Sequence, residues 1–169
     1  DILMFCFGEV DVRAHLIKQS IEQNKPIEYI VNECICNYIK VIDYYRFKFK
    51  VIVWGPIASW SELNPYVGPS YGTNVERNKI TALFNQKLAF ECNIRKILFI
   101  TFFYKMLNHD YTTKYYYLDN WEGSHIHLNQ KAMKLVLNDF KKQKLINNNY
   151  NFYIFKLFCY IRYFLRKIL

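Results

Sequence analysis

Three short apolar runs constrain the fold of this chain more than any other feature of its sequence. They cover residues 2–7, 49–54 and 97–103. A continuous apolar run of this length is typical of a strand that is buried on both faces, as in a parallel sheet. The segments between the runs are long enough for the crossover helices that parallel strands require. The sequence therefore predicts an α/β fold built on a parallel sheet.

Helical patterns fill the segments between the apolar runs. From 26 to 45, apolar residues recur every three or four positions, and Pro26 suits the first turn of a helix. Thr73 and Glu76 form a capping-box pattern that predicts the start of a second helix, and Asn129 can cap a third. Three strands make a thin sheet. We therefore expect either a preceding strand and helix outside these residues or a C-terminal helix that covers the exposed edge of the sheet.

Length and composition favour one domain at residues 1–146, followed by a C-terminal helix at 147–169. The chain has 169 residues, of which 52% are hydrophobic, enough for a substantial core. The segment 152–169 is apolar, but Lys156, Arg162, Arg166 and Lys167 interrupt it, so we do not expect it to span a membrane. These charges gather on one side of a helical wheel. The helix is therefore predicted to be amphipathic and to lie on its own domain or on an anionic membrane surface.

The charge indicates the class of partner, and the cysteines indicate the cellular compartment. The formal net charge is +9, which attracts polyanions and anionic membranes. The lysines are dispersed, so the sequence predicts no specific nucleic-acid surface. The five cysteines fall mostly in apolar runs, which favours buried thiols in a reducing, cytoplasmic location, with peripheral membrane association as a further possibility. The pair Cys34 and Cys36 lacks the spacing of a zinc site, and we expect no metal and no cofactor.

Ligands of open parallel sheets bind beyond the carboxyl ends of the strands. Three segments follow the predicted strands there, at 8–13, 55–72 and 104–127, and their aromatic residues suit sugar rings or acyl groups or simply pack the loops. In an extended exit from the first strand, Glu9, Asp11 and Arg13 would share one face, and Arg13 would clamp an anion or form a structural ion pair. The candidate substrate-binding residues are Gly8, Glu9, Asp11, Arg13, Trp54 and Tyr71.

His127 is the candidate general base. It lies on a loop just before a predicted helix, and a neutral imidazole can accept a proton from a hydroxyl group or water. Such a base needs an orienting partner, for which Ser124, Asp119 and Glu122 are the candidates. The alternative is a surface histidine without a catalytic role. No serine of the chain lies in the sharp strand-to-helix turn that exposes a nucleophile.

Several segments resemble the SGNH or GDSL hydrolases, in particular a branch found near polysaccharide-biosynthesis genes. FGEVDVR at 7–13 resembles the FGEIDCR of that branch, and SHIHL at 124–128 resembles its DGIHL. VIVWGP at 51–56 is similar to its strand and proline loop. YG at 71–72 and ERN at 76–78 resemble a further pair of its segments. The resemblance spans about residues 5–137.

The resemblance implies a three-layer, flavodoxin-like sheet, a serine nucleophile in an early Gly-Asp-Ser block, and a late aspartate three residues before the catalytic histidine. Residues 1–169 contain no Gly-Asp-Ser block, and Ser124 stands where the family has its late aspartate. We therefore expect an N-terminally incomplete ester hydrolase domain, ancestrally acting on acylated carbohydrate and inactive as this chain, with His127 and Ser124 at its site. The alternative is a non-catalytic remnant of this fold that binds glycan or protein and associates with membrane surfaces.

Overall fold

The computed structural model describes residues 2–60, 70–119 and 127–145. Within these residues, two short 3₁₀ turns lie between the third strand and the fourth helix, and a π-helical turn follows the first strand. The elements are, in chain order, β1 (Ile2–Cys6), the π-helical turn (Asp11–His15), α1 (Leu16–Gln23), α2 (Ile27–Arg46), β2 (Lys50–Trp54), α3 (Asn74–Ile94), β3 (Leu98–Ile100), the 3₁₀ turns (Phe103–Met106 and Tyr115–Tyr117) and α4 (Gln130–Lys142). The predicted helix at 147–169 lies outside the described residues.

The three strands form a parallel sheet in the order β1-β2-β3, which confirms the predicted α/β class. Phe5 lies opposite Val53, and Val53 lies opposite Phe99. β3 is shorter than the apolar run at 97–103 predicts. The run leaves the sheet early because Phe102 and Phe103 are buried in a second hydrophobic cluster, next to the first 3₁₀ turn.

Alternate side chains of the strands point to opposite faces of the sheet. On one face, Phe5, Val51 and Val53 pack against the apolar sides of α2 and α3. The helical residues of this core are fully or almost fully buried and include Ile35, Ile39, Ile42, Phe84 and Leu88. The three- and four-residue spacing of the α2 residues is the pattern that predicted the helix.

The opposite face carries the second hydrophobic cluster, which includes Ala58, Phe103 and Val136 of α4. Trp54 meets the ring of Phe140 edge-on, with 5.9 Å between ring centroids. Helices therefore pack on both faces of the sheet. At its β1 side this second face stays open, since Ile2 is 52% exposed and Met4 is 36% exposed.

Two predicted helix starts are confirmed by their capping contacts. The hydroxyl of Thr73 accepts a hydrogen bond from the Glu76 N–H, and the Glu76 carboxylate accepts one from the Thr73 N–H at 2.7 Å. These hydrogen bonds lower the pKa of Glu76. The side chain of Asn129 accepts hydrogen bonds from the N–H groups of Lys131 and Ala132 at the start of α4. In the described part of the chain, no helix combines the length and the apolar character needed to cross a membrane.

Gly8 makes a close turn directly after β1. Its φ is +96°, and a Cβ at this position would lie 2.9 Å from Cε1 of Phe84 and 3.2 Å from Cγ of Pro56. A side chain would therefore combine backbone strain with a clash against a buried ring. We expect Gly8→Ala to lower the free energy of unfolding by about 1–3 kcal/mol, measured by urea denaturation.

Gly72→Ala is the matched control for this substitution. Gly72 also has a positive φ, of +72°. Its new Cβ would lie 2.7 Å from Cδ1 of Ile17, which is the flexible end of a side chain, and 3.1 Å from a carboxylate oxygen of Glu76. The loss of stability should be smaller than for Gly8→Ala. Equal losses in the two variants would show that the contact of Gly8 with Phe84 is unimportant.

Candidate functional site

The segment after β1 is helical, so the prediction of an extended exit is wrong. The Val12 N–H donates to the Gly8 carbonyl at 2.9 Å, which begins the helical turn. In a helix, residues four apart are neighbours, whereas residues two apart point in different directions. Arg13 Nε therefore pairs with Glu9 Oε1 at 2.8 Å, while Asp11 points elsewhere. The structural ion pair, which was the alternative for Arg13, is present.

Asp11 instead faces α2, where its carboxylate accepts a hydrogen bond from the hydroxyl of Tyr38. It lines an open cavity of about 680 Å³ between the first helical segment and α2, together with His15 and Cys34. Burial, and then the hydrogen bond to Asp11, raise the pKa of Tyr38. Burial, and then the Asp11 charge, raise the pKa of Cys34 to about 11. The phenol and the thiol are therefore neutral at physiological pH, and Cys34 is a poor nucleophile.

A buried polar face of α3 holds the loops that follow β2 and β3. Asn78 Oδ1 accepts from the Ser59 N–H at 2.9 Å, and Asn74 Nδ2 donates to the Ser59 carbonyl at 2.6 Å. The Asn78 amide also donates to the Thr113 hydroxyl at 2.9 Å and to the Tyr111 carbonyl at 2.8 Å. The Asn74 amide donates to the same hydroxyl at 3.1 Å. The same helix thus joins two loops that lie more than 40 residues apart in sequence. Their main chains are fixed next to the carboxyl edge of the sheet.

Arg77 is the charged member of this polar face and is only 2% exposed. Its Nε donates to the Ser59 hydroxyl at 2.8 Å, and its Nη atoms donate to the carbonyls of Trp60 and Gly72. Burial first, and then the nearby Arg13, lower the pKa of Arg77. Among the described residues its hydrogen-bond acceptors are carbonyls and a hydroxyl, so its charge is not cancelled by a directly bonded carboxylate.

The segment around Arg13 touches the same loop. The Tyr71 N–H donates to the Arg13 carbonyl at 3.1 Å, and Arg77 donates to the carbonyl next to Tyr71, that of Gly72. Gly8 lies close to Pro56, which follows β2, since a Cβ at Gly8 would be 3.2 Å from Cγ of Pro56. Gly8, Arg13 and Tyr71 are therefore brought together at the carboxyl edge. Arg13 is paired with Glu9 and Arg77 is buried, so both arginines stabilise the packing of this edge.

His127 is exposed, but its main chain is held in place. Its carbonyl accepts from the Asp119 N–H at 2.8 Å, and Leu118 and Leu128 form an antiparallel bridge beside it. Leu128 packs against the second hydrophobic cluster, which also contains Ala58 of the loop after β2. The imidazole therefore projects from a well-anchored segment of backbone. Asp119 is joined to His127 through the main chain, whereas Ser124 and Glu122 lie outside the described residues.

Ser59 at this edge and the thiols of Cys34 and Cys92 in the first hydrophobic core are engaged in structural contacts. The Ser59 hydroxyl is buried, accepts from Arg77 and donates to the Trp60 carbonyl at 3.4 Å. Burial raises the pKa of Cys92 to about 11, as it does for Cys34. These groups do not offer an activated nucleophile. Within 2–60, 70–119 and 127–145, no three side chains of the histidine, cysteine or carboxylate type are arranged to hold a metal ion.

Aromatic side chains cluster on the 3₁₀ turns after β3. The rings of Trp60 and Tyr115 lie 4.0 Å apart between centroids, and Tyr104, Tyr115 and Tyr116 are exposed. Lys131 lies 4.0 Å above the ring of Tyr116. Trp54, in contrast, packs against Phe140 of α4 and contributes to the second core. The exposed aromatic surface therefore consists mainly of tyrosines, and a substrate contact of Trp54 stays a prediction.

Sequence reasoning missed the buried polar face of α3. Its members follow helical spacing and are Asn74, Arg77, Asn78, Thr81 and Asn85. A polar stripe at this spacing is normally the solvent face of an amphipathic helix. The available signal was the capping box at Thr73, which fixes the helix start but not the direction in which its polar face points.

Comparison of the chain with known protein families, with curated proteins and with solved structures finds no match.

Proposed function

We propose that this chain carries part of an SGNH/GDSL-type ester hydrolase domain, built on a flavodoxin-like sheet. The complete domain removes O-acyl groups from a carbohydrate. One observation carries the proposal: four of the segments that resemble this family lie together at the carboxyl edge of the sheet, namely 7–13, 51–56, 71–72 and 76–78. The turn at Gly8 touches Pro56, the Arg13 carbonyl binds the Tyr71 N–H, and Arg77 binds the Gly72 carbonyl. Parallel sheets bind their ligands at this edge.

The proposed reaction needs a serine hydroxyl that residues 1–169 do not supply in a Gly-Asp-Ser block. The serine oxygen attacks the acyl carbonyl while His127 takes its proton, and the sugar oxygen then leaves with that proton. Water hydrolyses the acyl-serine in the same way and releases the carboxylic acid. Among the described strands, β1 lies at an edge of the sheet, which is where a further strand of such a domain would pair.

The test compares residues 1–169 with the longest open reading frame that contains them. Both proteins are assayed with p-nitrophenyl acetate and with an O-acetylated polysaccharide, and both are treated with a fluorophosphonate that labels activated serines. We expect hydrolysis and labelling only in a longer protein, at the serine of a Gly-Asp-Ser block. A longest frame without that block, or one that is neither labelled nor active, would contradict the proposal.

A second candidate function is a non-catalytic module that binds glycan. The exposed tyrosines 104, 115 and 116, with Trp60 beside Tyr115, favour it because aromatic rings stack on the apolar faces of sugars. The same experiment separates the two candidates. A protein that binds the polysaccharide in isothermal titration calorimetry but hydrolyses neither substrate would support the binding module.

A further inference from the structure

The turn between α2 and β2 exposes apolar and basic side chains at the amino edge of the sheet, opposite the candidate site. Phe47 in this turn is 80% exposed, and Ile94 at the end of α3 is 59% exposed. Arg46 donates to the Arg95 carbonyl at 3.5 Å, which joins the turn to the end of α3. We call this surface the amino-edge patch; its residues are Arg46, Phe47, Lys48, Phe49, Lys50, Ile94, Arg95 and Lys96.

The two arginines of the patch are committed to ion pairs within the fold. Arg46 Nε lies 2.8 Å from Asp43, and Arg95 pairs with both Asp43 and Glu91. The lysines, at positions 48, 50 and 96, are exposed. Since two carboxylates offset the two arginines, the lysines leave the patch with a net positive charge. This excess faces solvent beside the exposed ring of Phe47.

An apolar side chain that projects from a rim of lysines matches the chemistry of an anionic bilayer surface. The apolar group enters the boundary between headgroups and acyl chains, while the lysines lie among the anionic headgroups. A nucleic acid fits less well. Ile94 has no ring to stack on a base, and the guanidinium of Arg46 lies 5.0 Å above the ring of Phe47, over one of its faces.

We propose that the amino-edge patch binds the surface of anionic lipid bilayers, with Phe47 inserted between the headgroups. The patch is distinct from the segment 152–169 and from the carboxyl edge. Because the strands are parallel, their carboxyl ends lie at the far side of the sheet from this patch. A protein bound in this way would hold its candidate site away from the bilayer, open to a polysaccharide or another ligand in solution.

Co-sedimentation of the full chain with vesicles tests the proposal. We expect the wild-type chain to bind vesicles of phosphatidylcholine with one quarter phosphatidylserine. Phe47→Ser should partition about tenfold more weakly, because burial of the phenylalanine ring supplies a large part of the binding free energy. The double variant Lys48→Gln, Lys50→Gln should lose binding by a similar factor. Phe90→Ser is the matched control, because Phe90 is 62% exposed on α3 but lies outside the patch; its partitioning should equal that of the wild type.

Insertion has a second, independent readout. In Phe47→Trp, the tryptophan fluorescence in excess of the wild-type signal should shift to the blue and be quenched by brominated lipids. Wild-type partitioning of Phe47→Ser, or an unquenched Phe47→Trp, would overturn the proposal even if the chain still binds vesicles through 152–169. Neither result would alter the outcome of the ester hydrolysis assay, so the two proposals can fail separately.

Discussion

Replacing His127 with alanine is expected to reduce ester hydrolysis about a hundredfold or more, when the protein encoded by the longest reading frame that contains these residues is assayed. A positioned general base contributes roughly 10²–10⁴ to the rate of such a reaction, and alanine cannot accept the serine proton. The fold should not change, because the imidazole is exposed and the backbone contacts of His127 do not involve its side chain. The measurement is kcat/KM for an O-acetylated oligosaccharide, together with the urea midpoint.

His109→Ala is the control for the loss of an exposed imidazole. His109 lies in the turn at 108–112, earlier than His127 in the connection between β3 and α4, and it is also exposed. Its variant should retain the activity of the wild-type protein. Activity of His127→Ala within twofold of wild type would remove His127 from the mechanism. Partial rescue of His127→Ala by added imidazole would strengthen the assignment of a proton-transfer role.

Replacing Arg77 with methionine is expected to lower the free energy of unfolding by about 3 kcal/mol or more. Methionine fills a similar volume but leaves the Ser59 hydroxyl and the carbonyls of Trp60 and Gly72 without their charged donor. A buried acceptor that loses its partner costs about 1–3 kcal/mol, and hydrogen bonds to charged groups are the stronger ones. The measurement is urea denaturation followed by far-ultraviolet circular dichroism.

Two further variants show whether the cause is the hydrogen-bond network. Arg77→Lys keeps the charge, but one ammonium group cannot reach acceptors on both sides of the loop, so this variant should also be clearly destabilised. Lys79→Met changes an exposed cation two residues along the same helix and should leave stability within about 0.5 kcal/mol of wild type. A loss below 1 kcal/mol in Arg77→Met would show that the loop after β2 does not depend on this residue.

The local elements of the fold could be predicted because their signals are local. A continuous apolar run of five or six residues predicts a buried strand whatever its partners are, and this succeeded for β1 and β2. The capping box at Thr73 and the cap at Asn129 are contacts within a few residues, and both are formed. The end of β3 was less predictable, because Phe102 and Phe103 are equally apolar in a strand or in a turn that is buried elsewhere.

The candidate site was only partly predictable, since its geometry depends on long-range contacts. The sequence singled out Gly8, Arg13 and Tyr71, and the structure brings them to one edge. It also grouped Asp11 with them, but the helical turn after β1 directs Asp11 toward Tyr38 on α2. Residues two apart share a face in a strand and diverge in a helix, so the wrong local conformation was enough to misplace one side chain.

The sequence by itself determined the class of fold, the starts of α2, α3 and α4, and the chemical types available at the carboxyl edge. Only the tertiary structure decided that α3 turns a polar face inward, with Arg77 and Asn78 buried in it. The physical reason is that their hydrogen-bond partners come from distant parts of the chain. Ser59 and Thr113 lie 15 to 39 residues from the asparagines and the arginine that they bind. Helical spacing reveals which residues share a face, but polar groups can be buried only where a distant loop satisfies their hydrogen bonds.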